Sequence, residues 1–436
     1  MIPAPRRVAV IGGGWAGLAA AVEARALGAE VTLYETAGAV GGRARRAGVT
    51  DDGFAFDNGQ HILIGAYRET LRLLALVGVE PEGALHRTPL QLVDAHGLGL
   101  RLPPGTPFLS FLRALAMAHH WPRLDRIGFA LVAASWAIRR FRCPSDWTVA
   151  QLSRCVAQPI RDEVIDPLCI AALNTPALRA SATVFLRVMR DALFSSPGAS
   201  DLLLPRVDLS ALWPDAAARW LSDHGVELRL RTRVESLAAD EGTWAVDGQR
   251  FDAVIVAASA LEAARLVERH AARWSACARQ ITYEPIISVL LRCPGARLHE
   301  PMLALRTGPG QPAQYAFDLG ALRVGDPAAA GVIALVVSGA SQWIERGLDT
   351  TTTAVLAQAK LQLAGQIGAS PTPLRTLSER RATFACTPGL ARPAPLIAPH
   401  LHAAGDYVAG PYPATIEGAI RSGVAAARAA AEANNR

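Results

Sequence analysis

The chain is predicted to be α/β, with a parallel sheet at its base and a second, α+β lobe interleaved into it. Three observations carry this. The stretch Arg7–Glu35 reads as apolar strand, glycine turn, helix, apolar strand and acid. Residues 402–427 repeat strand, turn and helix around Gly405-Asp406. At 436 residues the chain exceeds one ordinary core, and apolar strand-like runs recur at 252–259, 284–293 and 331–339.

Each element follows in order. Val8–Ile11 is all apolar, as a strand buried on both faces requires. Gly12, Gly14 and Gly17 form GxGxxG, which permits a tight turn and lets backbone amides approach a pyrophosphate. The helix starting at Trp15 and Ala16 turns its positive end toward the same place, and Gly28 ends it. Val31–Tyr34 is a second strand and leads into Glu35, an acceptor for both ribose hydroxyls that repels a 2′-phosphate. Together these predict a Rossmann-like dinucleotide lobe. Directly after it comes "GAVGGRA", where Gly41 and Gly42 would bring more backbone, and Arg43 a cation, onto a phosphate.

That second glycine motif resembles the one in the FAD-dependent amine oxidase and phytoene desaturase superfamily. The resemblance implies FAD, with Gly405-Asp406 reaching the ribitol and pyrophosphate. It also implies a final helix whose N-terminus, near Thr415 and Ile416, faces the flavin pyrimidine ring. Val234, in "GVELRLRTRVESL" (225–237), would meet adenine through its backbone. The FAD domain is then discontinuous, from residues 1–75, 205–270 and 395–436, and the substrate domain takes 76–204 and 271–394. "FDNGQHILIGAY" (56–67) would lay Gly59, Gln60, His61 and Ile62 along the isoalloxazine, with Asp57 bracing the turn.

The segments "DNGQHILIGAY", "PLCIAALNTP" and "GDYVAGPYPATIEGAIRSG" are most similar to the squalene-associated, hydroxysqualene dehydroxylase branch of that superfamily. The branch implies reductive removal of the hydroxyl from hydroxysqualene to give squalene. It implies partnership with the synthase that forms hydroxysqualene, and an electron donor the sequence does not identify. On this basis His61, assisted by Gln60, is the expected proton donor, and Tyr412 closes the wall; plain packing and backbone-bonding roles stay open for His61 and Tyr412. A carotenoid or squalene desaturase running oxidatively is the alternative. A non-catalytic flavoprotein that scaffolds or carries lipid is a rival of another class. An amine oxidase fits less well, because Lys360 is the chain's sole lysine and lies outside every flavin motif.

The second lobe is apolar. Leu90–Leu102 reads as a hairpin around His96-Gly97, and 164–182 as an apolar helix broken at Pro176. Phe108–Phe141 reads as two apolar helices meeting at Trp121-Pro122, with arginines at 113, 123, 126, 139 and 140. They are either a buried helix pair or a patch lying on a lipid surface. No apolar run reaches the ~18–20 residues that cross a bilayer. The first strand starts too early to leave room for a signal peptide, so the expected location is cytoplasmic, either free or peripheral on the inner face of the cytoplasmic membrane. The net charge of +6 is carried by arginine without aromatic interleaving or zinc spacing, which argues against nucleic acid. Six scattered cysteines without CxxC suggest free thiols and no metal site.

Overall fold

A computed structural model describes residues 5–193, 195–240, 242–368 and 370–432. The chain opens with β1 (Arg7–Ile11), α1 (Trp15–Ala26) and β2 (Glu30–Glu35). Three helices of the apolar lobe follow: α2 (Pro107–Met117), α3 (Arg123–Ile138) and α4 (Asp166–Leu173). The chain then returns to the first sheet with β3 (Glu227–Leu230) and β4 (Ala253–Val256). Next come β5 (Tyr283–Arg292), β6 (Met302–Ala304), β7 (Tyr315–Asp318), β8 (Val332–Val337) and β9 (Thr372–Phe384). Finally β10 (Leu396–Ala398), β11 (Leu401–Ala403) and α5 (Ile416–Glu432) close the first lobe.

The first sheet has the order β3-β2-β1-β4-β11-β10. All its pairs are parallel except β11 with β10. β4 is buried along its whole length and β1 all but its first residue, which accounts for their unbroken apolar sequences. Helices α1 and α5 lie against each other so closely that a side-chain carbon on Gly423 would sit 2.1 Å from the Ala16 carbonyl oxygen. The second sheet, β6-β7-β8-β5-β9, is antiparallel throughout. Its alternating faces split the lobe into two cores. Ile287, Val289, Ile333 and Leu335 pack outward under a helix, while Ile286 and Val336 look toward the first lobe.

Two elements differ from the sequence expectation. The strand expected over 225–237 stops at Leu230, because Arg231 takes φ +54° and turns the chain inward. Its amide then binds the Ala37 carbonyl and that of Thr232 binds the Glu35 carbonyl, which carries Thr232 and Val234 to the β2 end of the sheet. The helix at 164–182 ends before Pro176: Asn174 stops it in the left-handed region at φ +48°. The stretch 90–102 forms a hairpin in which Gln91–Val93 pairs with Gly99–Arg101, and α2 and α3 meet at Trp121-Pro122. All six cysteines are free.

Candidate active site

A cavity of about 600 Å³ lies between the two sheets. One end is made of glycine turns and polar groups, the other of aliphatic and aromatic side chains.

At the polar end two glycine loops are docked on each other. The Gly41 amide donates to the Gly13 carbonyl at 2.8 Å. A side-chain carbon on Gly42 would lie 3.1 Å from the Gly14 Cα, so the loops touch backbone to backbone. Gly17 does not line the cavity. A side chain there would strike the Gly12 carbonyl oxygen at 1.8 Å, so its role is to let α1 pack under the turn. Helix α1 begins at Gly14 with no side-chain cap and no acid in its first turn. Its first amides are therefore available, and they carry the positive end of the helix dipole. Open amides, bare glycine Cα atoms and a cavity of this size fit a pyrophosphate-bearing dinucleotide.

Glu35 is held at the end of β2 by two amides, from Gly13 (2.6 Å) and Ala37 (2.7 Å). Arg43 pairs with Asp406 at 2.5 Å and donates to the carbonyls of Arg381 and Ala382. Burial works against the Arg43 cation, and Asp406 more than offsets it, so its pKa is raised. Arg43 is thus a clasp between the start and the end of the chain, and its charge is already engaged. The same pairing neutralises Asp406, so that a carboxylate can sit beside an anionic group. Gly405 takes φ +153° because the Tyr407 ring occupies the place of a side chain, 2.6 Å away. The Thr415 hydroxyl accepts from the Gly418 amide at 3.1 Å and so caps α5 at the cavity. The buried carbonyl of Val234 accepts from Arg265 at 2.7 Å.

The bend Asn58–Ile62 forms one wall. Asp57 braces it from below: one oxygen accepts the Leu209 amide at 2.8 Å and the other pairs with Arg323 at 2.9 Å. Both side chains are only 6% exposed. Burial pushes the Asp57 carboxyl up to about 6, against the pull of Arg323. Above it the His61 Nδ1 lies 2.9 Å from the Gly59 carbonyl, so Nδ1 carries the proton and Nε2 the lone pair. Burial lowers the His61 pKa, and nearby Arg43 lowers it further. The bond to the Gly59 carbonyl opposes this without reversing it, so the environment favours the uncharged ring, with an acceptor at Nε2. Gln60 also lines the cavity.

Tyr412, expected to close the wall, is not among the cavity residues. Its hydroxyl donates to Asp191 at 3.1 Å, and its ring lies under the guanidinium groups of Arg187 and Arg421. Two arginines and one aspartate engage it there, and the aromatic wall falls instead to Tyr67, Tyr283, Tyr315 and Tyr407. The other residues expected at the cofactor (Gly12, Gly14, Trp15, Ala16, Glu35, Gly41, Gly42, Arg43, Gly59, Ile62, Val234, Gly405, Asp406, Thr415 and Ile416) all line the cavity.

Sequence reasoning missed Asn174. Its carboxamide donates to the Glu284 carbonyl (3.1 Å) and to Thr383 (2.9 Å), and accepts from Gly339 (2.7 Å). It thereby ties α4 to β5, to β9 and to the turn after β8 at the apolar end. An asparagine just past an apolar helix and before Thr-Pro is the signal that was available.

Relatives place this geometry. The model of the family described as flavin containing amine oxidoreductase matches residues 15–431. A protein named hydroxysqualene dehydroxylase from Sinorhizobium fredii is 27% identical over 99% of this chain and 100% of its own. One of the same name from Rhodopseudomonas palustris is 26% identical over 97% of both. A zeta-carotene desaturase from Synechocystis reaches 32% identity, but over only 31% of this chain. Among solved structures, an oxidoreductase from Methanosarcina mazei superposes with a TM-score of 0.72 at 17% identity, over 96% of this chain and 99% of the other. A family match that spans both sheets, on a cavity shaped for a dinucleotide, decides the matter: the chain belongs to the flavin-containing amine oxidoreductase family and is an FAD-dependent oxidoreductase.

Proposed function

We propose that this protein reductively dehydroxylates hydroxysqualene to squalene. The observation that carries the reading is end-to-end similarity to proteins named for that reaction, beside desaturase matches confined to part of the chain. The apolar half of the cavity supports it. Ile170, Ala171, Ile286, Phe317 and Val336 offer a hydrocarbon nothing to bond to and much to pack against.

Loss of hydroxyl from an allylic alcohol leaves a delocalised cation, and the protein's task is to hold the departing oxygen and the reacting carbon in place. Bound in its reduced form, the flavin supplies the hydride, so that alcohol, hydride and proton become hydrocarbon and water. The Asn58–Ile62 bend is rigid because Asp57 is anchored twice beneath it. Gln60 offers neutral N–H donors to the substrate oxygen. The His61 Nε2 accepts a hydrogen bond from the substrate hydroxyl and orients it; once protonated from solvent it would give that proton to the departing oxygen, which leaves as water. Its role as acid requires protonation against the burial that disfavours it. Glu35, Gly405 and Thr415 would hold the cofactor, beside the Arg43–Asp406 clasp.

The reading includes a membrane. Leu124, Ile127, Leu131 and Ile138 form one outward face of α3 and are 57–82% exposed. Between residues 107 and 142 there are six arginines and one acid, Asp125. An apolar face rimmed by cations suits an anionic bilayer. Among the described residues no helix is long and apolar enough to cross one, so contact would be peripheral. A substrate of roughly thirty carbons would gain up to about 20 kcal/mol if buried whole from water, near the ceiling of known affinities. Drawing it from lipid removes that difficulty. We further place the protein next to the synthase that makes its substrate.

The test is anaerobic incubation of the photoreduced protein with hydroxysqualene, with products identified by mass spectrometry. Squalene is expected. Inertness toward hydroxysqualene, with conjugated polyene formed from phytoene by the oxidised protein, would replace this reading with the desaturase.

A further inference from the structure

Behind α2 and α3 the packing is incomplete. A small void of about 20 Å³ lies there, lined by Phe111 of α2, by Phe129, Ala133 and Trp136 of α3, and by Met189. Leu90, Leu100 and Leu102 of the hairpin complete one side. Its lining is wholly apolar, so a water inside would have no hydrogen-bond partner. Protein interiors keep few such gaps, because the atoms around them forgo dispersion contacts.

Three features connect the void to the main cavity. One helical segment walls both. Val164, Ile165 and Leu168 face the void, while Ile170, Ala171 and Ala172 face the cavity. Leu168 of the void and Ala171 and Ala172 of the cavity share one face of that helix, a single turn apart. That segment is also irregular: Arg161–Ile165 is a π turn, and Pro167 just beyond it has no amide to give. Turns of this kind give up regular hydrogen bonding and recur at functional sites. Lastly, α3 is apolar on two faces. Phe129, Ala133 and Trp136 point in, and Leu124, Ile127, Leu131 and Ile138 point out. From the surface inward come the exposed apolar face, α3 and the void, with the cavity one helical turn further along the 161–173 segment.

Capacity points the same way. The cavity of about 600 Å³ must hold the dinucleotide as well as a substrate. Pockets for one drug-sized ligand already take about 300–1,000 Å³. A branched chain of roughly thirty carbons needs room beyond what is left.

We propose that the void is the collapsed end of a second subsite, which takes one arm of an acyclic isoprenoid chain when the side chains of Ile165 and Leu168, next to the cavity along the same helix, rotate. This rests on the proposed function for the substrate's identity, and on the apolar walls alone for its class. Ala133 and Trp136 then set how long an arm is accepted.

The experiment uses the FAD-loaded full chain and two variants. Ala133→Leu fills the void and Trp136→Leu enlarges it; flavin absorbance reports that each has folded. The readout is the ratio of kcat/KM for a thirty-carbon allylic alcohol to that for a fifteen-carbon one. Ala133→Leu is expected to lower this ratio at least tenfold, through KM, and Trp136→Leu to hold or raise it. A ratio unchanged in Ala133→Leu overturns the subsite. A second readout needs no turnover: quenching of tryptophan fluorescence by a brominated thirty-carbon polyene, with Trp136→Phe as the blank. Quenching assigned to Trp136 and abolished by Ala133→Leu supports the subsite even if the wild type converts neither alcohol, in which case the proposed reaction alone fails. No quenching of Trp136 at saturating polyene overturns it.

Discussion

The glycine end of the cavity and the apolar layer of α2 and α3 keep their shapes by opposite means. At the first, backbone meets backbone, and single atoms decide: Gly12 and Gly17 have no room for a side chain. At the second, side chains fill space approximately, leave a void and expose leucines to the outside. A site built from backbone contacts tolerates no substitution and has one ligand geometry. A site built from interchangeable aliphatics tolerates many, and can yield to a long flexible ligand. The contrast predicts where mutations will be felt.

The largest effect should come at Gly17. Gly17→Ala places a carbon 1.8 Å from the Gly12 carbonyl oxygen, and the purified protein is expected to carry essentially no flavin, read as the ratio of flavin to protein absorbance. Normal loading would break the contrast at its strongest point. Next is Asp57→Ala, which strands the buried Arg323 guanidinium. Removing one partner of a buried pair costs about 3–5 kcal/mol, to be read from the urea midpoint.

A smaller effect follows from His402 in β11, whose pKa burial, with help from His400 and Arg6, lowers to about 4. The unfolded chain holds this proton more tightly, near 6.5. Its contribution to stability is therefore full above that value and is lost as the pH falls through 6.5 toward 4. It amounts to up to about 3 kcal/mol, and His402→Leu should flatten that part of the stability–pH curve. The smallest change in stability belongs to the apolar layer. Leu124→Gln with Ile127→Gln should shift it by no more than about 0.5 kcal/mol, yet lower co-sedimentation with anionic vesicles at least tenfold. Unaltered sedimentation would remove the bilayer from the account of α3.

The same contrast explains what was legible in the sequence. GxGxxG, Glu35 and Gly41-Gly42 could be read because their backbone conformations admit few residues: Gly12 and Gly41 both take φ +112°. The strand ending at Leu230 could not, since Arg231 adopts a conformation that its residue type does not announce. Tyr412 was misplaced because a tyrosine in a loop gives no sign of which neighbours it will find. Arg187 and Asp191, which hold it, lie 225 and 221 residues away. For the apolar lobe, composition revealed helices and strands but not which faces would meet. The void arises from contacts among five separate elements and leaves no mark on any one of them.

The Arg43–Asp406 clasp has a consequence for the order of events during synthesis. A growing chain emerges N-terminus first, so the glycine loops leave the ribosome hundreds of residues before the segment that must lock onto them. Strand β11 enters the sheet beside β4, and α5 packs along α1. Until residues 401–432 are free, the pocket lacks a wall, and Arg43 has no carboxylate to hold. The yellow cofactor is therefore a late arrival, captured only by a finished polypeptide, and a chain that stops short of Asp406 should stay colourless however well its first strands have formed.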